Sequence, residues 1–401
     1  MTIQGCRKVV CLLFLFFLFD EIGAQSLDTI NAVPQKDLAG IAKKIFHLDT
    51  TSTDKRNRAG KVYISFIPAA GYTLASKLGA VLSTNYAFYT DQEHSNLSVI
   101  KFIPEYTLIG QLILPLKVNL WTPANKFNVT GDFRYYISPQ YTYGLGGHTS
   151  LINAQLLKYN YLAIREAILK KVARNFFVGL GYNIDYYWRI KEATVRGDGV
   201  AAYAAYGRLS RSFTSGPSLN LLLDDRKNSI NPSQGFYGNI VFQPNFTFLG
   251  STENWQSLLL DFRKYFKLNP ASKNILGFWS YSWLTLGGNP SYLELPSTGW
   301  DAYYNLGRGY IQGRFKGRNL LYFETEYRFG ITKNGLIGGV VFANVQTVSE
   351  WPSNRFEVLL PATGAGLRVK LNKVSNTNFA IDYGFGLNGS NGVFFSLGEV
   401  F

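Results

Sequence analysis

The sequence has little of what soluble enzymes are built from. Charged residues occupy only 16% of its 401 positions, below the ~25% usual in soluble domains. Its two cysteines, Cys6 and Cys11, lie near the start, so the chain after them forms no disulfide and no thiolate metal site. Beyond residue 24 no window approaches the roughly 18 consecutive apolar residues of a membrane-spanning helix.

Aromatic residues and glycine are abundant instead, with 26 Tyr, 30 Phe and 39 Gly. This composition favours strands and tight turns over long helices. Hydrophobic residues reach 46%, which is enough to bury a core and excludes a disordered chain. The net charge of +14 is dispersed among aromatics, without a run of five Lys or Arg. A nucleic-acid partner therefore has no local support.

Residues 1–24 are typical of a signal peptide. Arg7 and Lys8 form a basic start, eleven apolar residues follow at 9–19, and Ala24 offers a cleavage point. An apolar run of eleven is too short for a transmembrane anchor, which needs about 20 residues. The pattern predicts secretion.

Residues 25–60 are the part of the chain without strand alternation. Pro34 is suited to the first turn of a helix. Leu38, Ile41, Ile45 and Phe46 then recur at helical spacing. We expect a short helix on the periplasmic rim or inside a barrel; a targeting or partner-binding helix is the alternative.

From residue 61 to 401 nearly every segment alternates with a period of two. Segments of about ten residues with alternating hydrophobicity, separated by Gly, Asn, Pro and Ser turns, are typical of outer-membrane strands. The fold class we predict is all-β, a 16-stranded antiparallel transmembrane β-barrel with a short N-terminal helical segment. The sixteen predicted strands are 61–69, 77–90, 95–107, 109–121, 125–137, 154–170, 175–190, 215–225, 234–246, 254–267, 273–287, 317–330, 335–348, 362–372, 376–386 and 392–401.

Strand parity predicts which charges face the lumen. In residues 319–329 the odd positions are mostly apolar, whereas the even positions include Glu324, Glu326 and Arg328. Asp382 alternates with aromatic and aliphatic residues in the same way. A charge facing lipid at mid-depth costs free energy, so these four side chains are predicted to point inward.

Segment 306–315, before the 317–330 strand, contains two isolated bases, Arg308 and Arg314, each beside glycine in the sequence. Glycine permits tight backbone excursions, so this loop is able to fold back into the barrel. A buried arginine needs a carboxylate, and Glu324 and Glu326 are the nearest inward acids in sequence. A solvated surface loop is the alternative.

Several motifs in order along the chain resemble the BamA/TamA superfamily of outer-membrane assembly barrels, also called bacterial surface antigens. The resemblance covers about residues 61–401. It rests on the motif Arg308-Gly309-Tyr310, the strand ending at Phe329, the barrel entry at 67–80, and the last strands around 364–368, 382–384 and 394–401. It rests also on a strand-turn-strand signature within 223–237 that contains Asp224, Arg226, Asn231, Pro232 and Gly235.

The resemblance implies a role for each matched residue. In the family, the Arg of the sixth extracellular loop enters the lumen and contacts acids on the twelfth and thirteenth strands. Glu326 looks like the twelfth-strand acid, while Asn344 stands in place of the thirteenth-strand acid and can still accept a hydrogen bond. The Arg308 pairing is therefore expected to rest on Glu326.

The end of the chain resembles the family's C-terminal assembly signal. Phe395, Leu397 and Phe401 alternate as that signal requires. Glu399 stands where the signal usually has an aromatic residue.

Family members carry periplasmic POTRA domains before the barrel. Here only about 35 residues lie between Ala24 and Gly60, fewer than the ~50 of an independent domain. We expect a bare, POTRA-less barrel in which direct, autonomous assembly activity is in question.

The sequence has few features of an enzyme. We expect no catalytic activity, no bound metal and no cofactor. His47, His94 and His148 stand alone without ligand spacing. The pattern Gly384-Phe-Gly-Leu-Asn-Gly389 lies between two predicted strands and so predicts a hairpin turn, not a dinucleotide site.

Three functions remain for a protein of the bacterial outer membrane. The first, implied by the resemblance, is assistance in inserting or translocating outer-membrane proteins. The second is a passive pore, which an excess of Lys and Arg would make anion-preferring. The third is a membrane scaffold for a partner protein. The expected partners are outer-membrane lipids, client barrel proteins and periplasmic subunits.

Overall fold

The computed structural model describes residues 34–38, 40–41, 62–73, 77–91, 95–195, 202–226, 228–269, 274–373 and 375–401. The predicted signal peptide and most of segment 25–60 lie outside these residues. Among the described residues no helix has the length and apolar character needed to cross a membrane.

Strands dominate the described chain, as the composition predicts. One short α-helix, α1 (Ala202–Tyr206), lies in the connection between β8 and β9. The strands are β1 Val62–Thr73, β2 Lys77–Phe88, β3 Ser98–Phe102, β4 Glu105–Thr107, β5 Leu112–Trp121, β6 Phe127–Thr142, β7 Gln155–Ala173, β8 Phe176–Val195, β9 Arg211–Asp224, β10 Gly235–Asn245, β11 Trp255–Lys267, β12 Ile275–Gly288, β13 Asn319–Gly330, β14 Ile337–Val348, β15 Leu360–Asn372, β16 Thr377–Gly386 and β17 Asn391–Leu397.

The strands form one antiparallel meander in which each pairs with its sequence neighbours. The segments β3 and β4 both lie between β2 and β5, so together they occupy one strand position. The 17 described segments thus fill sixteen positions. The predicted sixteen-stranded antiparallel barrel is confirmed, and its third strand is interrupted at Ile103 and Pro104, where proline has no N–H for the ladder.

Side-chain alternation separates an apolar outer wall from a polar lumen. On β13 the residues Glu324, Glu326 and Arg328 are at most 4% exposed and lie inside, whereas Phe323 is 41% exposed on the outer wall. Asp382 on β16 is also buried inside. The parity argument therefore assigned these charges to the correct face.

The two ends of the barrel differ in the length of their connections. The end that carries the start of β1 and the finish of β17, here called the turn side, has short connections such as 174–175 and 373–376. The opposite end, here called the loop side, carries 143–154, 196–210 and 289–318. Short periplasmic turns and long extracellular loops are the usual arrangement of outer-membrane barrels.

The described part of segment 25–60 docks on the turn side. The Lys36 amide donates to the Asn334 carbonyl at 3.1 Å, and the Asp37 carboxylate accepts from the Lys373 amide at 2.7 Å. Asp37 also accepts from the Gly40 amide at 2.9 Å, which caps a helix beginning at Leu38. The expectation that Pro34 opens this helix is wrong, because the capping carboxylate belongs to Asp37.

The barrel wall has one weakly joined seam. Among the described residues no ladder links β1 to β17, although the two strands lie against each other. The Lys101 ammonium on β3 donates to the Leu397 carbonyl at 3.3 Å. This hydrogen bond links β3 to β17 across the lumen side of β1. The edge of β1 that faces β17 is the least paired stretch of the described wall.

The last strand is shorter than predicted. Strand pairing ends at Leu397, and Gly398 adopts a left-handed conformation with φ of 95° that redirects the chain inward. Phe401 is consequently buried against Tyr265 and Trp279 in the lumen. The prediction that the strand continues to residue 401 is wrong.

Candidate functional site

The long connection 289–318, here called the lumen loop, folds into the barrel from the loop side. Its residues Tyr292, Leu295, Leu306 and Phe315 are at most 3% exposed. Backbone hydrogen bonds within the loop, such as Thr298 N to Phe315 O at 2.9 Å, hold its two arms together. The alternative of a solvated surface loop is therefore excluded.

Arg308 lies at the inner tip of this loop and is 1% exposed. Its Nη1 donates to Asp382 Oδ2 at 2.6 Å, and its Nη2 donates to Glu326 Oε2 at 2.7 Å and to Glu324. The guanidinium stacks over the Phe342 ring at 3.8 Å from its centroid. One side chain thus joins the loop to β13 and β16.

The expectation that Arg308 relies on Glu326 alone is incomplete. Glu324 and Asp382 also bind it, because both face the lumen at the same depth. Asn344 contributes differently from expected: its side-chain amide donates to the Arg308 carbonyl at 2.9 Å. It therefore fixes the backbone of the loop tip and does not accept from the guanidinium.

Two further arginines extend this arrangement into what we call the brace cluster. Arg368 on β15 binds Asp382 Oδ1 at 2.6 Å and Glu399 Oε2 at 2.6 Å. Arg328 on β13 binds Glu326 and donates to the Phe401 carbonyl at 2.6 Å. The members of the cluster are Arg308, Arg328, Arg368, Glu324, Glu326, Asp382 and Glu399.

Glycines let the loop tip lie directly on the wall. Gly309 has φ of 103°, and a Cβ there would come within 2.8 Å of the Ala362 Cβ. A Cβ at Gly384 would come within 2.7 Å of the Gly309 nitrogen. Tyr310 follows, and its hydroxyl donates to the Pro361 carbonyl at 2.6 Å. The tip consequently packs backbone to backbone against β16.

The strand-turn-strand signature closes the turn side below the brace cluster. Arg226 pairs with Asp224 through two hydrogen bonds of 2.9 Å. The Asn231 amide donates to the Asn376 carbonyl at 3.3 Å, and the Pro232 carbonyl accepts from Arg328 at 3.0 Å. Gly235 starts β10 with φ of 109°. The connection between β9 and β10 therefore reaches across the barrel to the last strands.

The three residues of the predicted C-terminal signal do not share one face. Phe395 is 41% exposed on the outer wall and stacks with Phe379 at 6.2 Å. Leu397 and Phe401 are both buried. The assignment of Phe401 to the alternation is wrong, because Gly398 ends the strand before it.

Sequence reasoning missed most members of the brace cluster as a group. The sequence indicates Arg368 only as the end of the 364–368 motif, Glu399 only as part of the terminal motif, and Arg328 only as an inward charge. The available signal was parity, since Arg328 shares its face with Glu324 and Glu326. Among the described residues no group of three or more His, Cys, Asp or Glu is arranged to hold a metal ion.

A sixteen-position antiparallel barrel with a long loop pinned inside its lumen defines an outer-membrane barrel class. A family model described as the Omp85 superfamily domain matches residues 157–401, more than half of the chain. The chain therefore belongs to the Omp85 superfamily and is an outer-membrane protein.

Two solved structures resemble the fold. BamA from Haemophilus ducreyi lacking POTRA domains 1–3 matches with a TM-score of 0.52 and 12% identity, over 90% of this chain and 77% of that one. CdiB from Acinetobacter baumannii matches with a TM-score of 0.53 and 10% identity, over 86% of this chain and 66% of that one. No curated protein matches the sequence significantly.

Proposed function

We propose that this barrel assists the insertion or translocation of other proteins at the outer membrane. The observation that carries the proposal is the pinning of the lumen loop by Arg308, which binds acids on β13 and β16 at once. The brace cluster ties β13, β15 and β16 together from inside. The seam between β1 and β17 is left as the part of the wall that opens most easily.

The mechanism we infer uses the edge of β1. An unpaired strand edge presents N–H and C=O groups that template an added strand. In β1 the outward side chains Val62, Ile64 and Phe66 are all exposed, so a client strand added there would continue an apolar outer wall. The seven-residue β17 covers less of this edge than the twelve residues of β1 offer.

The filled lumen favours this proposal over a passive pore. The lumen loop packs an aromatic cluster against the wall around Tyr136, Tyr161, Tyr187, Tyr292 and Trp300. The gap lined by Gln140, Tyr292 and Trp300 has a volume of only about 10 Å³. A conducting pathway through this region requires the loop to leave.

The test is quantitative proteomics of the outer membrane after depletion of the protein, with complementation by variants. We expect selective loss of other barrel proteins, restored by the wild type and not by Arg308→Ala. Arg318→Ala is the matched control, because Arg318 lies in the same loop and binds Asn289 and Gly288 at its edge, away from the brace cluster. An outer-membrane proteome unchanged by depletion contradicts the proposal.

A dependence on partner subunits is part of the same proposal. Lys36 and Asp37 hold the N-terminal segment against two turns on the turn side, where a periplasmic subunit would reach it. Asp37→Ala should then weaken co-purification of such a subunit while the barrel stays folded. If the wild type and the Asp37→Ala variant recover every co-purifying protein equally, the subunit is removed from the proposal.

A further inference from the structure

Glu166 lies in the middle of β7, between Gly131 on β6 and Tyr182 on β8. Its strand neighbours Arg165 and Ala167 face the lumen, where Arg165 binds Asp185 at 2.7 Å. Alternation therefore turns Glu166 outward, and its side chain is exposed. A carboxylate points from the barrel wall toward lipid.

The aromatic residues of β8 locate this carboxylate in depth. On the outward face of β8, Tyr182, the partner of Glu166, lies midway between the aromatic residues Phe176 and Trp188. Tyr182 is six residues from each of these two aromatics. At about 3.3 Å per residue and a strand tilt of roughly 40°, each lies about 15 Å above or below Tyr182 along the membrane normal. Glu166 is thus near the centre of an apolar band about 25 Å tall.

Within the described residues no hydrogen bond or ion pair engages the Glu166 carboxylate, unlike the inward acids of the brace cluster. Other outward charges, such as Lys158, Lys170 and Lys264, lie close to strand ends, where long side chains reach the interface. An ionisable group at membrane mid-depth is costly and is normally paired. Within the described part of this chain, Glu166 has no such partner.

The outer wall around Glu166 is mostly apolar. Ile168 is 60% exposed and Leu180 is 71% exposed, and the Phe133 ring lies over Gly131, 2.7 Å from where a Cβ there would stand. The Tyr182 hydroxyl lies 2.7 Å from the Ser215 hydroxyl on β9, on the side away from Glu166. The Glu166 carboxylate is therefore an unpaired charge within an apolar patch of the described wall.

We propose that Glu166 is the centre of a lateral docking surface for a different membrane-embedded protein, which places a lysine or arginine against this carboxylate. Charge complementarity selects a cationic partner. A second copy of this chain does not supply it, because copies in one membrane share the same depth. The outward faces of the described strands offer no cation at mid-depth.

The experiment is photo-crosslinking in intact outer membranes with the full chain. A benzophenone amino acid replaces Leu180, which is 71% exposed beside Glu166, and in a control replaces Val341, which is 46% exposed on β14. We expect a protein adduct from position 180 alone, with its crosslinked peptide in a membrane-embedded segment near a Lys or Arg. Glu166→Leu and Glu166→Gln should reduce that adduct at least tenfold.

As a control for folding, the heat-modifiable gel mobility of the same variants is measured. Glu166→Leu should unfold at the same or a higher temperature, because it removes a lipid-facing charge. Exchanging the charges, Glu166→Lys with the partner's cation replaced by Glu, should restore the adduct. Adducts with lipid only or with a second copy, or adducts unaffected by Glu166→Leu, overturn the proposal.

Discussion

Two kinds of arginine–carboxylate pair occupy the lumen. In the local kind, an aspartate and an arginine two residues later in the sequence form a double hydrogen bond; the pairs are Asp132–Arg134, Asp224–Arg226 and Asp261–Arg263. In the brace cluster, Arg308 binds acids 16, 18 and 74 positions away. Each local pair links residues that are already neighbours in sequence, although Asp132 also binds Lys117 on β5 and Asp261 also accepts from the Trp279 indole on β12. Arg308, in contrast, fixes a long loop to two strands.

The difference predicts unequal responses to substitution. A local pair can be replaced as a unit by apolar residues, since two charges leave together. Removal of Arg308 leaves three carboxylates, from Glu324, Glu326 and Asp382, buried beside one another.

The largest effect is expected for Arg308→Met. Loss of a buried pairing partner costs about 3–5 kcal/mol, so the temperature at which the folded gel mobility is lost should fall clearly. Arg226→Met provides the contrast, because it leaves one carboxylate, that of Asp224, without its arginine. Equal shifts for the two variants would break the distinction between the two kinds of pair.

A smaller effect is expected for Gly309→Ala, which changes no charge. The left-handed backbone and the 2.8 Å approach to Ala362 both oppose a Cβ, at a cost of about 1–3 kcal/mol. The lumen loop should become more sensitive to protease added from outside. Gly330→Ala is the control, since no atom lies within 4 Å of its added Cβ. Protection equal to that control would show that the tip tolerates displacement.

A near-neutral effect is expected for the double variant Asp224→Leu with Arg226→Met. Replacing both members of a buried pair leaves stability within about 1 kcal/mol, although the contact of Arg226 with the Tyr237 ring at 4.1 Å is lost. Denaturant unfolding in detergent or lipid measures the difference. A loss of stability as large as that of Arg308→Met would mean that the local pair also stabilises distant parts of the barrel.

A pH-dependent effect is expected from Lys316 in the lumen loop. Burial lowers the pKa of its ammonium to about 7, against the usual 10.5. The cost of burying the charge is therefore complete below pH 7 and disappears as the pH rises from about 7 toward 10.5. Lys316→Met should stabilise the barrel more at pH 7 than at pH 10. An equal gain at both values would contradict the shift.

Alternation made the fold and part of the site predictable. Lipid on one face and a packed lumen on the other force a period of two, so the strand positions and the inward course of Glu324, Glu326 and Asp382 follow from sequence. Which inward acids meet Arg308 depends on the path of the lumen loop, which no periodicity encodes. The end of β17 was misassigned because Gly398 turns the chain while the apolar alternation continues to Phe401.

The inward course of residues 398–401 makes the brace cluster depend on three distant parts of the chain. Glu399 and Phe401 supply partners to Arg368 and Arg328, so the brace cluster is complete only when residues 399–401 are in place. A chain that stops a few residues earlier still has the acids on β13 and β16 but leaves two buried guanidiniums short of partners. Residues 399–401 therefore link the fold of the lumen to the end of β17.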